Sequence, residues 1–516
     1  MRVVIAGAGT AGCVLAARLS AAPGVEVVLL ESGPHYRPGS WPAALAHSHR
    51  IIKESHDWGF LAQAGASPRM VHVPRGRVVG GSSVTNATIA LRGFPEHYDE
   101  WDRHVDGFGW DTWLPWFRLI ERDLDFGAEP WHGDAGPIPI TRYRREEWYP
   151  LMERFAEAAL HRGHAWTPDH NAPGAMGIGP TPLNMIGGRR QTPADHYLDP
   201  ALVRDNVRLV TGVRVDRVRI AGGRAAAVEA IDEATGTQLE FPCDHAVLTL
   251  GTYVSPACLM RSGVGPAEEL DRHGIPLVHE LPGVGRGMQD HPKISYRFWI
   301  TSPVPSWPHP WIQALLTSAA DVAGTPRPFQ VMPYVGIVEG GHRVTDLNVQ
   351  VADSRGRTGR VALAGRDPML QPVLSMGWLE AGGDRQVAEA AGREVMALAR
   401  TAPLSGLLSP WPNQDDPDHV LRTTETFHHV TGTMKMGRPG AADAVTDERG
   451  AVIGLEGVWC MDAGVIPRVP SANTHLAVIA LAERLGARFL ADHGMAEAAV
   501  RPPGALAVGA DAARGA

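Results

Sequence analysis

The feature that most restricts the fold is a glycine-rich turn near the start of the chain, in which Gly7, Gly9 and Gly12 have the spacing Gly-x-Gly-x-x-Gly. The apolar run Val3–Ala6 before the turn predicts a buried strand, and the residues after it predict a helix that ends near Leu19. In such a unit the three glycines permit a tight turn, a close approach to a pyrophosphate and close packing of helix on strand. The spacing alone is weak evidence, because glycines also occur in ordinary loops.

The residues that follow strengthen the prediction of a dinucleotide-binding β-α-β unit. The segment 26–30 predicts a second strand, and Glu31 stands at its end, about twenty residues beyond the glycines. A carboxylate at this point accepts hydrogen bonds from ribose hydroxyls and repels a 2′-phosphate, which favours FAD or NAD over NADP. The position of Glu31 does not decide between FAD and NAD.

Composition excludes several other classes of protein. A length of 516 residues predicts two domains or one large elaborated domain. The formal net charge is −8 and no Lys/Arg cluster is present, so we expect no nucleic-acid binding. The four cysteines are scattered, which predicts buried reduced thiols. No apolar run reaches the ~20 residues that span a bilayer, and no leader pattern opens the chain, so we predict a cytoplasmic protein without a membrane span.

The remaining sequence gives a coarse outline of further elements. Proline and glycine are frequent and periodicity is weak over residues 133–189. Apolar alternation over 206–231 predicts a hairpin, whereas 384–400 and 476–491 predict amphipathic helices. Residues 496–516 are predicted to form a disordered tail, because Ala, Gly and Pro predominate toward their end. Metal-ligand spacing and a Gly-x-Ser-x-Gly nucleophile turn are both absent from the sequence, which argues against a metalloenzyme or a hydrolase.

A second glycine-rich loop spans residues 76–86 and contains Gly80, Gly81, Ser82 and Ser83 in succession. Small residues let a cofactor approach the backbone closely, and the hydroxyl groups together with the amide of Asn86 can hydrogen-bond a polar heterocycle.

At this loop the sequence resembles the glucose–methanol–choline (GMC) oxidoreductases, which are FAD-dependent enzymes acting on alcohols. Further blocks follow in the family's order: 87–93 with Asp99, 251–256, 262–265, 283–285 with 290–292, 429–433 with 436–437, and 462–463 with Pro467 and 473–475. Several blocks in order carry far more weight than any single one. Residues 121–140 are similar to the branch of aryl-alcohol and hydroxymethylfurfural oxidases.

The resemblance implies an α/β fold with a Rossmann-like FAD-binding domain and an α+β substrate domain built on an antiparallel sheet. We expect the FAD-binding domain to comprise residues 1–122, 187–291 and 425–495. The substrate-binding domain would comprise 123–186 and 292–424.

The resemblance also implies which residues contact FAD. The implied contacts are Gly7, Gly9, Thr10, Ala11 and Gly12 with the pyrophosphate, Glu31 with the ribose, Val79, Ser82, Asn86, Ala87 and Ile89 with the flavin and its phosphates, Val215 with the adenine end, and Asp462 and Ala463 with the ribityl–pyrophosphate region. Some relatives attach the flavin covalently through a histidine. That position is Thr85 here, so we predict non-covalent FAD.

Alcohol oxidation requires a hydride acceptor, which the cofactor supplies, and a base for the hydroxyl proton, for which histidine is suited. Composition alone does not indicate which of the 23 histidines acts as this base. The resemblance implies that His429 and His475 lie beside flavin N5, with His429 as general base and His475 as hydrogen-bonding partner of the substrate oxygen. Which of the two accepts the proton stays open. His428 is predicted to have a packing or orienting role. Asp290 and His291 are predicted to be structural and to bond a loop to the flavin domain.

We therefore expect FAD-dependent oxidation of an alcohol to an aldehyde or ketone, with oxygen or another electron acceptor completing the cycle. One alternative is a dehydrogenase that passes electrons to a protein or quinone. A hydroxynitrile lyase with structural FAD and a flavin-free NAD-binding protein are less favoured alternatives. The resemblance favours uncharged primary alcohols as substrates. We identify no carboxylate or aromatic cage that would bind a quaternary ammonium group.

Overall fold

The computed structural model describes residues 1–48, 51–65, 69–301, 312–339, 342–356, 358–414, 416 and 418–495. The strands, in chain order, are β1 (Arg2–Ala6), β2 (Glu26–Glu31), β3 (Leu61–Gln63), β4 (Met70–His72), β5 (Glu121–Asp123), β6 (Ile138–Ile140), β7 (Gly177–Pro180), β8 (Met185–Ile186), β9 (Arg189–Arg190), β10 (Val207–Thr211), β11 (Val213–Ala221), β12 (Arg224–Asp232), β13 (Gln238–Pro242), β14 (His245–Leu248), β15 (Val264–Gly265), β16 (His279–Glu280), β17 (Arg286–Met288), β18 (Pro292–Ile300), β19 (Ala314–Val322), β20 (Thr325–Glu339), β21 (His342–Val351), β22 (Gly359–Ala362), β23 (Val373–Ser375), β24 (Leu408–Pro410), β25 (Glu425–Thr426) and β26 (Val458–Cys460).

The α-helices are α1 (Thr10–Leu19), α2 (Ala43–Ala46), α3 (Ser82–Thr85), α4 (Pro95–Asp102), α5 (Trp110–Ile120), α6 (Pro150–His161), α7 (Asp199–Ala201), α8 (Val254–Arg261), α9 (Ala267–Arg272), α10 (Asp384–Ala399), α11 (His419–Thr423) and α12 (Thr474–Asp492). Short 3₁₀ turns cover Arg145–Glu147, Leu404–Gly406 and Ala463–Val465, and a π-helical turn covers Ala194–Leu198.

The first sheet is parallel and has the strand order β10-β2-β1-β14-β26. Its central strands are buried apolar runs, as expected for a parallel sheet that is covered on both faces. The strand order reverses between β1 and β14, so a crevice opens beyond their carboxyl ends. Gly7 follows β1, Glu31 ends β2 and Thr249 follows β14, so all three residues lie at this edge of the sheet.

The first and last helices of the described chain pack against each other beside this sheet. A buried ion pair joins Arg18 of α1 to Glu483 of α12, although 465 positions separate the two residues. Gly486 faces the Leu15 and Arg18 side chains, where an added Cβ atom would lie about 3 Å from both. The nucleotide-binding layer is therefore completed by the two ends of the chain.

The second large sheet is antiparallel and has the order β24-β18-β21-β20-β19-β7, with β25 paired to β18. Apolar side chains of α10, among them Val387 and Ala391, share one hydrophobic core with this sheet. Met332 and Tyr334 of β20 belong instead to a separate apolar cluster together with Ile89 and Phe427. This sheet therefore supplies part of the wall around the cavity described below.

Most predicted elements are confirmed, including the opening β-α-β unit and the helices α10 and α12. Two predictions need correction. The alternation over 206–231 is not one hairpin, because β10 joins the parallel sheet and Gly212, with φ +73°, separates it from the β11–β12 hairpin. The weakly periodic region 133–189 contains the helix α6, which begins at Pro150, a residue with a φ suited to a first helical turn.

The expected fold class is confirmed, with a parallel α/β layer and an antiparallel sheet. The exact domain boundaries stay a prediction, because the sheet β17-β22-β23-β3-β4 combines strands from both expected domains. The predicted tail, 496–516, lies outside the described residues. Within the described chain, no helix has both the length and the apolar composition that crossing a membrane requires.

Candidate active site

A cavity lies beyond the carboxyl ends of the parallel strands. Its wall contains Glu31 and residues 213–215, both glycine-rich loops, and histidines of the last quarter of the chain. The crevice where the strand order reverses is where doubly wound folds bind their ligands. The position of the cavity therefore follows from the topology of the parallel sheet.

Close backbone contacts explain the glycines of the two loops. A Cβ atom on Gly12 would lie 2.0 Å from the Gly7 carbonyl oxygen, and one on Gly81 would lie 2.8 Å from Gly9 Cα. Gly81 also has a φ of +56°, which favours glycine. The Gly80 N–H donates to the Ala8 carbonyl at 2.7 Å, so the second loop rests directly on the first.

Two helices point their N-termini at the cavity. The cavity wall includes Thr10 at the start of α1, and Thr474 and His475 at the start of α12. Neither helix has a side-chain hydrogen bond at its N-cap, so the first N–H groups stay available to a ligand. Free N–H groups and the positive end of the helix dipole attract anions, as required for binding a pyrophosphate.

Glu31 closes the cavity at the end of β2. Its carboxylate accepts hydrogen bonds from the backbone N–H groups of Ala8, at 3.0 Å, and Gly33, at 2.8 Å, and its side chain is buried. Burial raises the pKa of this carboxyl from 4.5 to about 7, against the opposing effect of the two N–H donors. An acceptor held in this way suits a ribose, whose two hydroxyl groups both need acceptors.

The raised pKa of Glu31 gives a testable dependence of stability on pH. The folded apoprotein binds the carboxyl proton of Glu31 more tightly than the unfolded chain does. The contribution of Glu31 to the free energy of unfolding is therefore greatest below pH 4.5 and is lost as the pH rises to about 7. We expect a loss on the order of 3 kcal/mol, measured by urea unfolding at a series of pH values. Glu31→Gln should remove this component, and an unchanged slope in that variant would contradict the assignment.

Asp462 joins two segments at the cavity wall, the one that follows β14 and the one that follows β26. Its Oδ2 accepts hydrogen bonds from Gly251 N–H at 2.9 Å and from the Ser255 hydroxyl at 2.7 Å, while Oδ1 accepts from Gly464 N–H at 2.7 Å. The side chain caps the turn that begins at Ala463. The loop after β14 and the loop after β26 are thereby held at one edge of the cavity.

His429 also lies on the cavity wall, within a network of imidazoles and amides. Its Nδ1 is 2.9 Å from His291 Nδ1, and its Nε2 is 2.9 Å from Asn473 Nδ2. Gln350 Nε2 is 3.1 Å from the same His291 nitrogen. Asp290 accepts a hydrogen bond from the His429 backbone N–H at 2.9 Å. Burial, followed by the neighbouring His291 and Arg75, lowers the pKa of His429 well below its usual value.

His475 lies on the same wall, in the first turn of α12, and is 9% exposed. Its Nε2 is buried without a hydrogen-bond partner among the described residues, as are Nδ1 of His428 and Oδ1 of Asn473. Burial, with a smaller effect from Arg190, lowers the pKa of His475 to about 4. Orphaned polar atoms around a cavity indicate that a polar ligand completes the site.

The structure brings most of the predicted site residues to this one cavity. Its wall includes Gly7, Gly9, Thr10, Ala11, Glu31, Ser82, Asn86, Ala87, Ile89, Val215, His429, Asp462, Ala463 and His475. Two others do not line it. Gly12 lies behind the wall, where it lets α1 approach β1, and Val79 is fully buried in the hydrophobic core.

Several wall residues were missed from the sequence. Arg75 and Tyr253 line the cavity, and Asn473 contacts His429 directly. His291, which was expected to be only structural, reaches the same imidazole. Asp290 does hold a loop, as predicted, through its bonds to Thr426 and His429. No local pattern distinguishes Arg75 or Asn473, because their roles depend on contacts with distant segments.

The residues present fit FAD along its whole length. Uncapped helix N–H groups suit its pyrophosphate, Glu31 suits its ribose, and the small residues of the second loop leave room for a flat ring. Fold and cavity together define a Rossmann-type flavoprotein.

Comparisons with known proteins agree with this class. Models of the GMC oxidoreductase family match residues 1–293 and 354–482. The chain is 32% identical to mitochondrial choline dehydrogenase of Mus musculus, over 93% of this chain and 88% of that protein. It is 31% identical to 5-(hydroxymethyl)furfural oxidase of Methylovorus sp. (strain MP688), over 94% of this chain and 98% of that protein. The crystal structure of pyridoxine 4-oxidase from Mesorbium loti has a TM-score of 0.87 and 29% identity, covering 95% of this chain and 99% of that one.

The chain therefore belongs to the GMC oxidoreductase family. It is an FAD-dependent oxidoreductase of a family that acts on alcohols.

Proposed function

We propose that the protein oxidises an alcohol to the aldehyde or ketone, with His429 as the general base and His475 as the partner of the substrate oxygen. When bound, FAD supplies the hydride acceptor at its N5 atom. The observation that carries the proposal is the arrangement of two buried imidazoles, His429 and His475, on the wall of the cavity that Glu31 also lines.

The network around His429 supports its role as a base. If Asn473 Nδ2 donates to His429 Nε2, that nitrogen carries the lone pair and the ring proton is on Nδ1. The Nδ1–H then donates to His291 Nδ1, which also accepts from Gln350 Nε2. This assignment gives every contact one donor and one acceptor. The lone pair of Nε2 is thereby directed away from His291 and becomes available to an alcohol that displaces the Asn473 amide.

The reaction then divides between the chain and the cofactor. The substrate O–H proton passes to His429 Nε2, and the hydrogen on the carbinol carbon leaves with its electron pair as a hydride. The Nε2–H of His475 and the N-terminus of α12 stabilise negative charge that develops on the substrate oxygen. The low pKa of both imidazoles favours their neutral forms at neutral pH, as a base and a neutral donor require.

The test is anaerobic mixing of the purified holoprotein with a panel of alcohols while the flavin absorbance is followed. Loss of the oxidised flavin bands, with formation of a carbonyl product, is the expected result. Turnover in air with and without a quinone acceptor, with hydrogen peroxide measured, separates an oxidase from a dehydrogenase. Release of cyanide from a cyanohydrin without any bleaching would instead support a lyase and contradict the proposal.

We propose that FAD is bound without a covalent bond. Thr85, which has no nucleophilic ring nitrogen, stands at the position where some relatives carry the linking histidine, and it lines the cavity. Acid precipitation should therefore release all of the flavin into the supernatant. Yellow colour that stays with the denatured protein would overturn this prediction.

His291 should act as a positioning residue for His429. We expect His291→Phe to slow flavin reduction about tenfold or more, because the imidazole loses the acceptor that keeps its proton on Nδ1. Stopped-flow reduction rates at several pH values measure the effect, and retained flavin absorbance shows that the variant folds. A wild-type rate and pH profile in this variant would contradict the assigned tautomer.

A further inference from the structure

A buried glutamine of the antiparallel sheet contacts the imidazole network. Gln350 is fully buried in β21 and stands between Val349 and Val351, which belong to the hydrophobic core that the sheet shares with α10. Since side chains alternate along a strand, Gln350 points to the opposite face of the sheet. There its Nε2 is 3.1 Å from His291 Nδ1, and that same nitrogen is 2.9 Å from His429 Nδ1. Gln350 therefore reaches the proposed base through one intervening ring.

Packing alone does not explain an amide at this position. The Oε1 atom of Gln350 is buried and has no hydrogen-bond partner among the described residues, which is destabilising. Gln330, the residue directly opposite in β20, also has a buried Oε1 without such a partner. A methionine would occupy a similar volume without leaving an acceptor unsatisfied. The contribution of Gln350 is therefore the hydrogen bond that it donates to the His291 ring.

The hydrogen bond between the two imidazoles can have either direction. Burial, and then the charge of His97, lowers the pKa of His291 to about 3, and burial also lowers the pKa of His429, which favours neutral rings. A neutral imidazole has one N–H donor and one lone pair. If His429 Nδ1–H donates to His291, the lone pair of His429 is on Nε2. If His291 Nδ1–H donates instead, His429 carries its proton on Nε2 and cannot accept another from an alcohol there.

Two amides favour the first of these directions, one from each side of the imidazole pair. Asn473 Nδ2 faces His429 Nε2 at 2.9 Å, and Gln350 Nε2 faces His291 Nδ1 at 3.1 Å. An amide N–H is a donor, so each of these contacts requires a lone pair on the ring nitrogen. An alcohol that binds to His429 Nε2 displaces the Asn473 amide. Gln350 is then the amide that still keeps His291 Nδ1 as an acceptor.

We propose that Gln350 is a positioning residue for the reaction. By donating to His291 Nδ1, it keeps the ring proton of His429 on Nδ1 and the lone pair on Nε2, the atom that accepts the substrate proton. The inference rests on the proposed function, because it assigns a partner to the same base. Gln350 is not among the described residues that line the cavity, so it acts through His291 and touches neither substrate nor cofactor.

Gln350→Glu tests the inference, because it keeps the shape of the side chain and changes what it can donate. A protonated carboxyl group still donates through its O–H, whereas a carboxylate only accepts and requires an N–H on His291 Nδ1. With the carboxyl protonated, the limiting rate of anaerobic flavin reduction should be within about threefold of the wild type, and it should fall about 10- to 100-fold as the pH rises through the carboxyl pKa. The dissociation constant of the alcohol should stay nearly unchanged.

The ionisable groups that surround this glutamine are present in the wild type as well. They are Lys293, opposite it in β18, Glu425, which pairs with Lys293 at 2.8 Å, Asp290, which accepts from the backbone N–H of the proposed base, and His97 of α4, which lies 3.6 Å from Asp353. Titration of any of them would appear in the pH profiles of both proteins. A falling limb that is found only in the variant therefore reports the introduced carboxyl group.

Gln330→Glu is the matched control. Gln330 is 4% exposed, lies on the same face of the sheet as Gln350, and makes no hydrogen bond to an imidazole of the described chain. The control therefore places the same carboxyl group one strand away and reproduces any general loss of stability. We expect it to keep the wild-type pH profile. A falling limb in both variants, or in neither, would overturn the inference.

A direct measurement of the tautomer separates this inference from the proposed reaction. With ¹⁵N-labelled histidine, two-bond ¹H–¹⁵N correlation spectra of the holoenzyme distinguish a protonated ring nitrogen from one with a lone pair, and His429→Ala identifies the signals of that ring. The proton should be on Nδ1 in the wild type and on Nε2 in Gln350→Glu above the carboxyl pKa. An Nε2 proton in the wild type, or an unchanged tautomer in the variant, would sink this inference alone. The expected tautomers without flavin reduction by any alcohol would sink the proposed function alone.

Discussion

Replacing His429 with alanine should slow anaerobic flavin reduction by an alcohol about 10²- to 10⁴-fold, because the variant lacks the group that accepts the hydroxyl proton. The flavin should stay bound, since the contacts that hold Glu31 and the first glycine-rich loop in place do not involve His429. Stopped-flow absorbance of the bound flavin measures the effect. Added imidazole should restore part of the rate by occupying the vacated space.

A matched control removes a different buried imidazole. His419 is also buried and bonds the Ser295 carbonyl at 3.1 Å, but it is not part of the cavity wall. His419→Ala should reduce at a rate close to the wild type. If His429→Ala reduces as fast as this control, while His475→Ala loses activity that imidazole restores, the two catalytic roles must be exchanged.

Replacing Glu31 with alanine should weaken FAD binding about 10²- to 10⁴-fold. The variant would lose the two hydrogen bonds that the ribose donates to the Glu31 carboxylate. Hydrogen bonds to a charged acceptor contribute about 1.5–3 kcal/mol each. The change also leaves the Ala8 and Gly33 N–H groups without their acceptor. The dissociation constant is measured by the fluorescence of released flavin after dialysis.

The control for this second variant is an acidic residue outside the cavity. Glu240 pairs with Arg219 on the β11–β13 sheet at 2.8 Å, and both side chains are exposed. Exposed pairs contribute about 0–1 kcal/mol, so Glu240→Ala should retain its flavin. A Glu31→Ala variant that binds FAD as tightly as this control would refute the assignment to the ribose.

The sequence predicts the parts of the site that depend on local geometry. Gly7, Gly12 and Gly81 are recognisable because close backbone contacts exclude any side chain at these positions. Glu31 is recognisable because a β-α-β unit fixes its distance along the chain from the glycines. The two histidines were identified through the family resemblance together with their neighbourhood, since His429 precedes a glycine-containing turn and His475 precedes a helix of apolar period.

The parts that the sequence could not predict depend on contacts between distant segments. His291 lies 138 positions from His429, and only the folded structure shows that their Nδ1 atoms are 2.9 Å apart. The place of Arg75 in the site likewise depends on its hydrogen bond to Tyr253, 178 positions away. The helix α6 was missed for a different reason, because its single amphipathic stretch is surrounded by proline and glycine that suggest loops.

The completion of the nucleotide layer by both ends of the chain has a consequence for biosynthesis. On the ribosome, β1, α1 and β2 emerge long before β26 and α12, which finish the sheet and cover α1. The opening segment must therefore remain partly folded until α12 has been synthesised. Stable capture of the vitamin-derived cofactor must then wait until α12 has been synthesised, and flavin supply in the growing cell should govern the yield of mature protein.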